Sequence, residues 1–332
     1  MRSKLGKTIT GITVMLLLSG RPLFAQNAQD DELVGVMAGY FRALERAEDS
    51  DADTGQNMEA SLGWEMLYGE EDFLRLSFNK FRFYVAKGDS GSDYLPAGSM
   101  LTLSGSLEIG EKINGSLSVG GGAAVSSVSF SDYFPYGEKN TGKVAVNNRP
   151  YNGENFGKFV EKAEDYVSEK RIIDTEMESL VVFLAILLAM DETDLNEKIR
   201  ESGTPLADIP PVGIRAFNPE RTFTVVTLEN GIEMDYNGYA PEQYSGSPVF
   251  PVLDGKLTMK YEIKDNSSVE SVTFDGSIHA RETSFVSSLR FNSCRMSNMD
   301  NKMSEENLSG NIVINGNSYS FQSLLMAGKN WF

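Results

Sequence analysis

Apolar residues recur along this chain at two spacings, and the spacing switches three times. Leu33, Val34, Met37, Tyr40, Phe41 and Leu44 fall on one side of a 3.6-residue period behind Asp30 and Asp31. Acids suit the positive end of a helix, so a helix is predicted over about 33–47. From Asn57 to about Phe130 the period drops to two ("FLRLSF", "MLTLSGSLEI", "INGSLSV") amid many Gly and Ser residues, which predicts short antiparallel strands. Residues 131–155 are rich in turn formers and read as an irregular surface connection.

The helical period returns with Phe156, Phe159, Val160, Ala163 and Val167. Thr175 followed by Glu178 reads as a capping box that opens a second helix, whose body is "LVVFLAILLAM", Leu180 to Met190. Eleven residues rise only about 16 Å against roughly 30 Å of bilayer hydrocarbon, so this segment is too short to span. A helix apolar all round belongs at the centre of a fold. Asp194 to Glu201 adds a short amphipathic stretch, "SGTP" supplies a stop, and Pro205, Pro210, Pro211 and Pro219 mark a linker. A second β-rich region then runs from about Arg221 to Leu325.

One phrase recurs across both β-rich regions. "LSGSLEI" from Leu103, "INGSLSV" from Ile113, "LDGKLTM" from Leu253, "FDGSIHA" from Phe274 and "LSGNIVI" from Leu308 share an apolar residue, then Ser, Asn or Asp, then Gly, then alternation. Such steps accept positive φ, so each copy is expected to start a strand at a turn or bulge. "LSFNKFRF" from Leu76 also matches "LRFNSCRM" from Leu289, and in both the apolar parity slips near Asn79 and Asn292, which predicts a bulge in each. Two readings compete: one sheet reusing a good turn, or two copies of an α-then-β unit. The paired blocks favour two copies.

The first 25 residues change the picture of location. Arg2, Lys4 and Lys7, an apolar run from Ile9 to Leu18 and "RPLFAQ" read as an export signal with cleavage before Gln26. "LLLSG" resembles the approach to a lipidated cysteine, but Arg21 stands where the thiol would be, so a soluble exported chain is expected rather than a lipid-anchored one. Without the four signal-region cations, 26 Lys and Arg face 47 Asp and Glu, a net charge of −21. That surface repels phosphate backbones, so nucleic acid is not expected as a partner. A lone Cys294 forms no internal disulfide, and the fold must rest on its hydrophobic core.

Candidate chemistry adds little. Asp49, Asp51 and Asp53 in "DSDADTG" alternate as calcium-loop ligands do, but Gly55 is seventh rather than sixth and Ala60 stands where a bidentate Glu belongs. The only histidine, His279, sits in a strand pattern without a nucleophile partner in sequence. Cys294 reads as a packed thiol. Asn114, Asn266 and Asn307 begin N-x-S sequons that matter only in a glycosylating host. A carboxylate pair would suffice for a glycosidase, but nothing selects one among 47 acids. The terminal Phe332 resembles that of outer-membrane barrels, yet the alternation behind it breaks at Asn330 and Gly328. No catalytic, cofactor-binding or metal residue is assigned, and no cofactor is called for.

The expected fold is α+β, with antiparallel meanders packed on a few helices. The expected organisation is a signal at 1–25, a helix plus β region at 26–150, a helical segment at 151–210 with the buried apolar helix, and a β region at 211–332 that could join the first. The expected function is that of a non-catalytic periplasmic or envelope protein, binding an apolar ligand or acting as a structural or interaction module. The alternatives are an outer-membrane barrel and a carboxylate-dependent enzyme. Expected partners are an apolar small molecule or an envelope protein.

Overall fold

The computed structural model describes residues 28–49, 63–68, 74–85, 100–134, 141–151, 153–168, 172–191, 215–218, 222–241, 251–264, 268–297 and 305–327. The export signal, the "DSDADTG" acids after Asp49, the proline linker, Asn266 and Phe332 lie outside the described residues. Contacts divide the chain into two compact units, 1–174 and 175–332.

The first unit opens with α1 (Ala28–Asp49) and continues through β1 (Trp64–Tyr68), β2 (Leu74–Val85), β3 (Met100–Ile109), β4 (Ile113–Gly120), β5 (Ser127–Phe134), β6 (Thr141–Val146) and β7 (Arg149–Tyr151). These seven strands pair antiparallel in chain order. Helix α2 (Gly153–Ser168) packs on α1, and the two-residue β8 (Ile172–Ile173) returns to pair with β2.

The second unit repeats the plan with α3 (Thr175–Asp191), then β9 (Arg215–Asn218), β10 (Phe223–Leu228), β11 (Gly231–Tyr239), β12 (Val252–Lys264), β13 (Ser268–Arg281), β14 (Ser288–Ser297), β15 (Leu308–Ile314) and β16 (Asn317–Ser320). These too pair antiparallel in chain order, and α4 (Phe321–Ala327) follows the last strand. The fold is therefore α+β with an α-then-β unit repeated. The unit boundary falls within 151–210, so α2 closes one copy and α3 opens the next.

The register of the duplication differs from the one the sequence blocks suggest. Cross-strand rows on the inner face decide it. In the first unit, Phe78–Gly105–Leu117–Val128–Val146 and Leu76–Leu107–Gly115–Phe130–Val144–Tyr151 run across β2 to β7. In the second, the matching rows are Tyr236–Gly255–Ile278–Leu289–Ile314 and Met234–Leu257–Gly276–Phe291–Ile312–Tyr319. "LSGSLEI" thus corresponds to "LDGKLTM", and "SGNIVI" within "LSGNIVI" to the β6 sequence "TGKVAV". The Leu289 stretch is β14, whose counterpart is β5 and not β2.

The mismatch has a physical cause. Each unit uses one bulge device twice, and the matched blocks are two different uses of it. In β2, Lys80 has φ +58 and its N–H donates to Ser104 Oγ; in β11, Gly238 has φ +73 and its N–H donates to Asp254 Oδ1. In β5 and β14, Asp132 and Ser293 have φ +51 and +49, and their N–H groups donate to Asn114 Oδ1 and Asp275 Oδ1. Every acceptor is the residue just before a glycine of the repeated phrase. The bulges expected near Asn79 and Asn292 are present, and the polar residue of the phrase caps a bulge on the neighbouring strand.

The glycine of the phrase does separate work. Rather than starting a strand at a turn, Gly105 and Gly115 lie inside β3 and β4, both at φ +125. A Cβ on Gly105 would stand 2.2 Å from Ser116 O, and one on Gly115 would stand 2.2 Å from Ser106 O. Only glycine permits this mutual approach, which bends the two strands together.

Each unit has its own buried helix. Expected as a one-sided stripe, α1 is covered almost all round: Val36, Ala38 and Ala43 are as buried as Leu33 and Val34. Small residues make this possible, since a Cβ on Gly39 would lie 2.2 Å from the Phe83 ring. Helix α3 carries "LVVFLAILLAM" as expected of a core helix; Phe183 sits within 6 Å of the Phe274, Phe291 and Phe321 ring centres. The segment 131–155 is more regular than its composition suggests, because it holds the end of β5 together with β6 and β7.

Candidate functional site

Near the N-terminus of each central helix a buried glutamate is aimed at a loop of its own sheet. In the first unit, Glu32 Oε2 accepts hydrogen bonds from Ala123 N (3.0 Å) and Ala124 N (2.7 Å), and Oε1 accepts one from Val125 N (3.0 Å). In the second, Glu178 Oε1 accepts from Ser284 N (2.8 Å), and Oε2 from Phe285 N (2.5 Å) and Val286 N (2.6 Å). Three converging backbone N–H groups form an anion-binding nest, here filled by a carboxylate of the same chain. The helix opens at Thr175 as expected, Glu178 reaches across to the β13–β14 loop, and Thr175 O accepts from Ser179 Oγ.

An asparagine latches the far side of each loop. Asn147 Oδ1 accepts from Ser126 N (2.7 Å), Ser126 Oγ (3.0 Å) and Ser127 N (3.3 Å), while Nδ2 donates to Ala124 O (2.7 Å). Asn315 repeats this with Ser287 N (2.8 Å), Ser287 Oγ (3.0 Å), Ser288 N (3.2 Å) and Phe285 O. Sequence reasoning missed both devices. Their signal is an acid near the helix N-terminus together with an Asn at the β6–β7 or β15–β16 turn, spaced differently in the two copies.

A cavity of about 440 Å³ opens beside the first latch, lined by Gln29, Val146, Asn147, Arg149, Pro150 and Tyr151. Tyr151 Oη donates to Asp30 Oδ1 at 3.1 Å, and burial followed by the Asp30 charge pushes the phenol up to about 12. Burial also raises Asp31. On α2, burial, then Asp165, then Glu161 push Glu164 up to about 7.

The outer faces of the two sheets differ where the inner faces agree. Across β2 to β5 of the first unit run Ser77–Ser106–Ser116–Ser129 and Ser104–Ser118–Ser127. The corresponding rows of the second are Asp235–Lys256–Ser277–Arg290 and Asp254–His279–Ser288. Lys256 Nζ lies 3.2 Å from Asp235 Oδ2 and 3.5 Å from Glu233 Oε1.

His279 therefore shares a row with Asp254 and Ser288, the residue types of an acyl-transfer triad. The geometry spends Asp254 elsewhere: Oδ2 accepts from Arg281 Nε at 2.7 Å and Oδ1 from Gly238 N at 2.9 Å. The Arg281 hydrogen bond is the main cause of the lowered Asp254 pKa. Among the described residues no hydrogen bond orients the imidazole, so the row does not assemble a nucleophile and base. Cys294 is buried, with Sγ 3.2 Å from Asn311 O, and burial pushes its thiol up to about 11, consistent with packing rather than reactivity. Asn114 of the first sequon is engaged with Asp132 N.

Among the described residues no group of three or more His, Cys, Asp or Glu side chains could hold a metal ion, and no helix is long and apolar enough to cross a membrane. No protein-family model matches the chain, and no curated protein or solved structure matches it either.

Proposed function

We propose that this is an exported, non-catalytic protein of the periplasm or cell envelope that works as an interaction module, two copies of one scaffold displaying different outer faces. The observation that carries this reading is the contrast between rows: the inner rows match apolar for apolar and glycine for glycine, whereas five of the seven serines in the outer rows of the first sheet are replaced by Asp235, Lys256, Arg290, Asp254 and His279 in the second, Ser277 and Ser288 being kept. A scaffold kept and a surface changed is what divergence of binding specificity produces.

The apolar-ligand version needs room between sheet and helix. In the first unit that space holds Phe81, Phe83, Leu103 and Leu107 against a buried α1; in the second it holds the Phe183 cluster. A transmembrane barrel needs apolar residues outward, and these outward rows are hydroxyls and charges. Native mass spectrometry of the purified full-length chain tests the reading. The bare polypeptide mass is expected, and a stoichiometric co-purifying lipid would instead favour the ligand carrier. Extraction only with detergent would favour the barrel.

A further inference from the structure

The last hairpin of each unit ends its sheet with no further strand paired beyond it among the described residues, and the two copies treat that edge differently. Asn147 and Asn148 join β6 to β7, both at positive φ, and Asn315 and Gly316 join β15 to β16 in the same way. A two-residue turn of this kind fixes which amides face outward. Asn147 N donates to Ser127 O and Asn315 N to Ser288 O, so the alternate residues Val146 and Ile314 bond into the hairpin, opposite Arg149 and Asn317. The backbone of Pro150, and of Ser318 at the matching place, therefore points away from the sheet.

Pro150 has no N–H to offer there, whereas Ser318 has one. Charge and proline are the devices that keep an edge strand from pairing with another chain, and three of the four terminal strands carry one: β1 holds the exposed Glu65, β7 holds Arg149 and Pro150, and β9 opens with Arg215. β16 has neither. Its Asn317, Ser318 and Ser320 are exposed and uncharged, on a chain whose net charge is −17. Two copies of so acidic a chain repel least where no carboxylate faces the contact.

We infer that β16 is a self-association edge, pairing antiparallel with β16 of a second copy about a two-fold axis at Ser318. Each Ser318 N–H donates to the Ser318 carbonyl of the other chain, and the outer row Arg290–Val313–Ser318 continues into its symmetry mate with no like charges opposed at the seam. The inference uses the correspondence between the units and does not rest on the proposed function.

Sedimentation of the full chain over a concentration series tests it, with near-UV circular dichroism as the check on folding. The parent should form a dimer, whose mass is a multiple of the bare chain and so is distinct from a lipid adduct. Ser318→Pro introduces a residue that the first unit already accommodates at this place, so the fold should survive. Losing two hydrogen bonds of about 1 kcal/mol each should raise the dimer dissociation constant roughly thirtyfold or more. Ser318→Lys, which sets two ammonium groups across the axis, should weaken the dimer without constraining the backbone. A parent still monomeric at about 1 mM, or a dimer that either folded variant leaves unchanged, would overturn the inference.

Discussion

Gly255 and Gly316 are both outside the ordinary range of φ, at +119 and +90, yet their surroundings are opposite. A Cβ on Gly255 would stand 2.4 Å from Ser277 O, whereas Gly316 has nothing within 4 Å. Gly316→Ala should therefore cost only the backbone strain, about 1–2 kcal/mol. Gly255→Ala adds a collision with a neighbouring strand and should cost about 3 kcal/mol or more. Urea denaturation of the two variants reads the difference, and equal costs would contradict the close approach. Glu164 gives a pH test at the same scale. Its folded pKa of about 7 lies above the ordinary glutamate value of 4.5, mainly through burial, so the folded state holds the proton longer. Its stabilising contribution is complete below the unfolded pKa and is lost as pH rises through about 7. Glu164→Gln should raise Tm relative to the parent at pH 8, with the gain fading toward pH 4. A constant difference across that range would show that the carboxyl does not titrate as described.

Helix and loop meet through the Glu178 and Glu32 carboxylates. Replacing Glu178 by Ala leaves three N–H groups of the β13–β14 loop without their acceptor, Val286 N among the buried ones, and should destabilise the protein by about 3 kcal/mol or more. Amide exchange at 284–286 should accelerate while that at 123–125 does not, and Glu32→Ala should reverse the pattern. Helices and strands were legible in the sequence because period and punctuation mark them: the α1 apolar spacing, the "LVVFLAILLAM" body and the alternation of β2 to β4 all form as expected. Helix α4 was not, since seven residues, "FQSLLMA", are too few to establish a period. Nor were the clasps, because a carboxylate that bonds loop amides 91 to 93 residues away leaves no local pattern.

At the scale of the molecule the duplication was legible and its register was not. Similar letters drew Leu76 toward Leu289, but bulge chemistry repeats within a unit as well as between units, so resemblance alone could not tell β2 from β5 as the partner of β14. The cross-strand rows, the two carboxylate clasps and the two asparagine latches together fix the correspondence. Each unit then holds a central helix, a meander and a core of its own, and the second should not need the first in order to fold. Expression of residues 175–332 alone, followed by near-UV circular dichroism and thermal unfolding, tests this most directly. The account predicts fixed tertiary signals and a single cooperative transition that Glu178→Ala shifts downward. A fragment with strand content but no near-UV signal and no cooperative transition would contradict it.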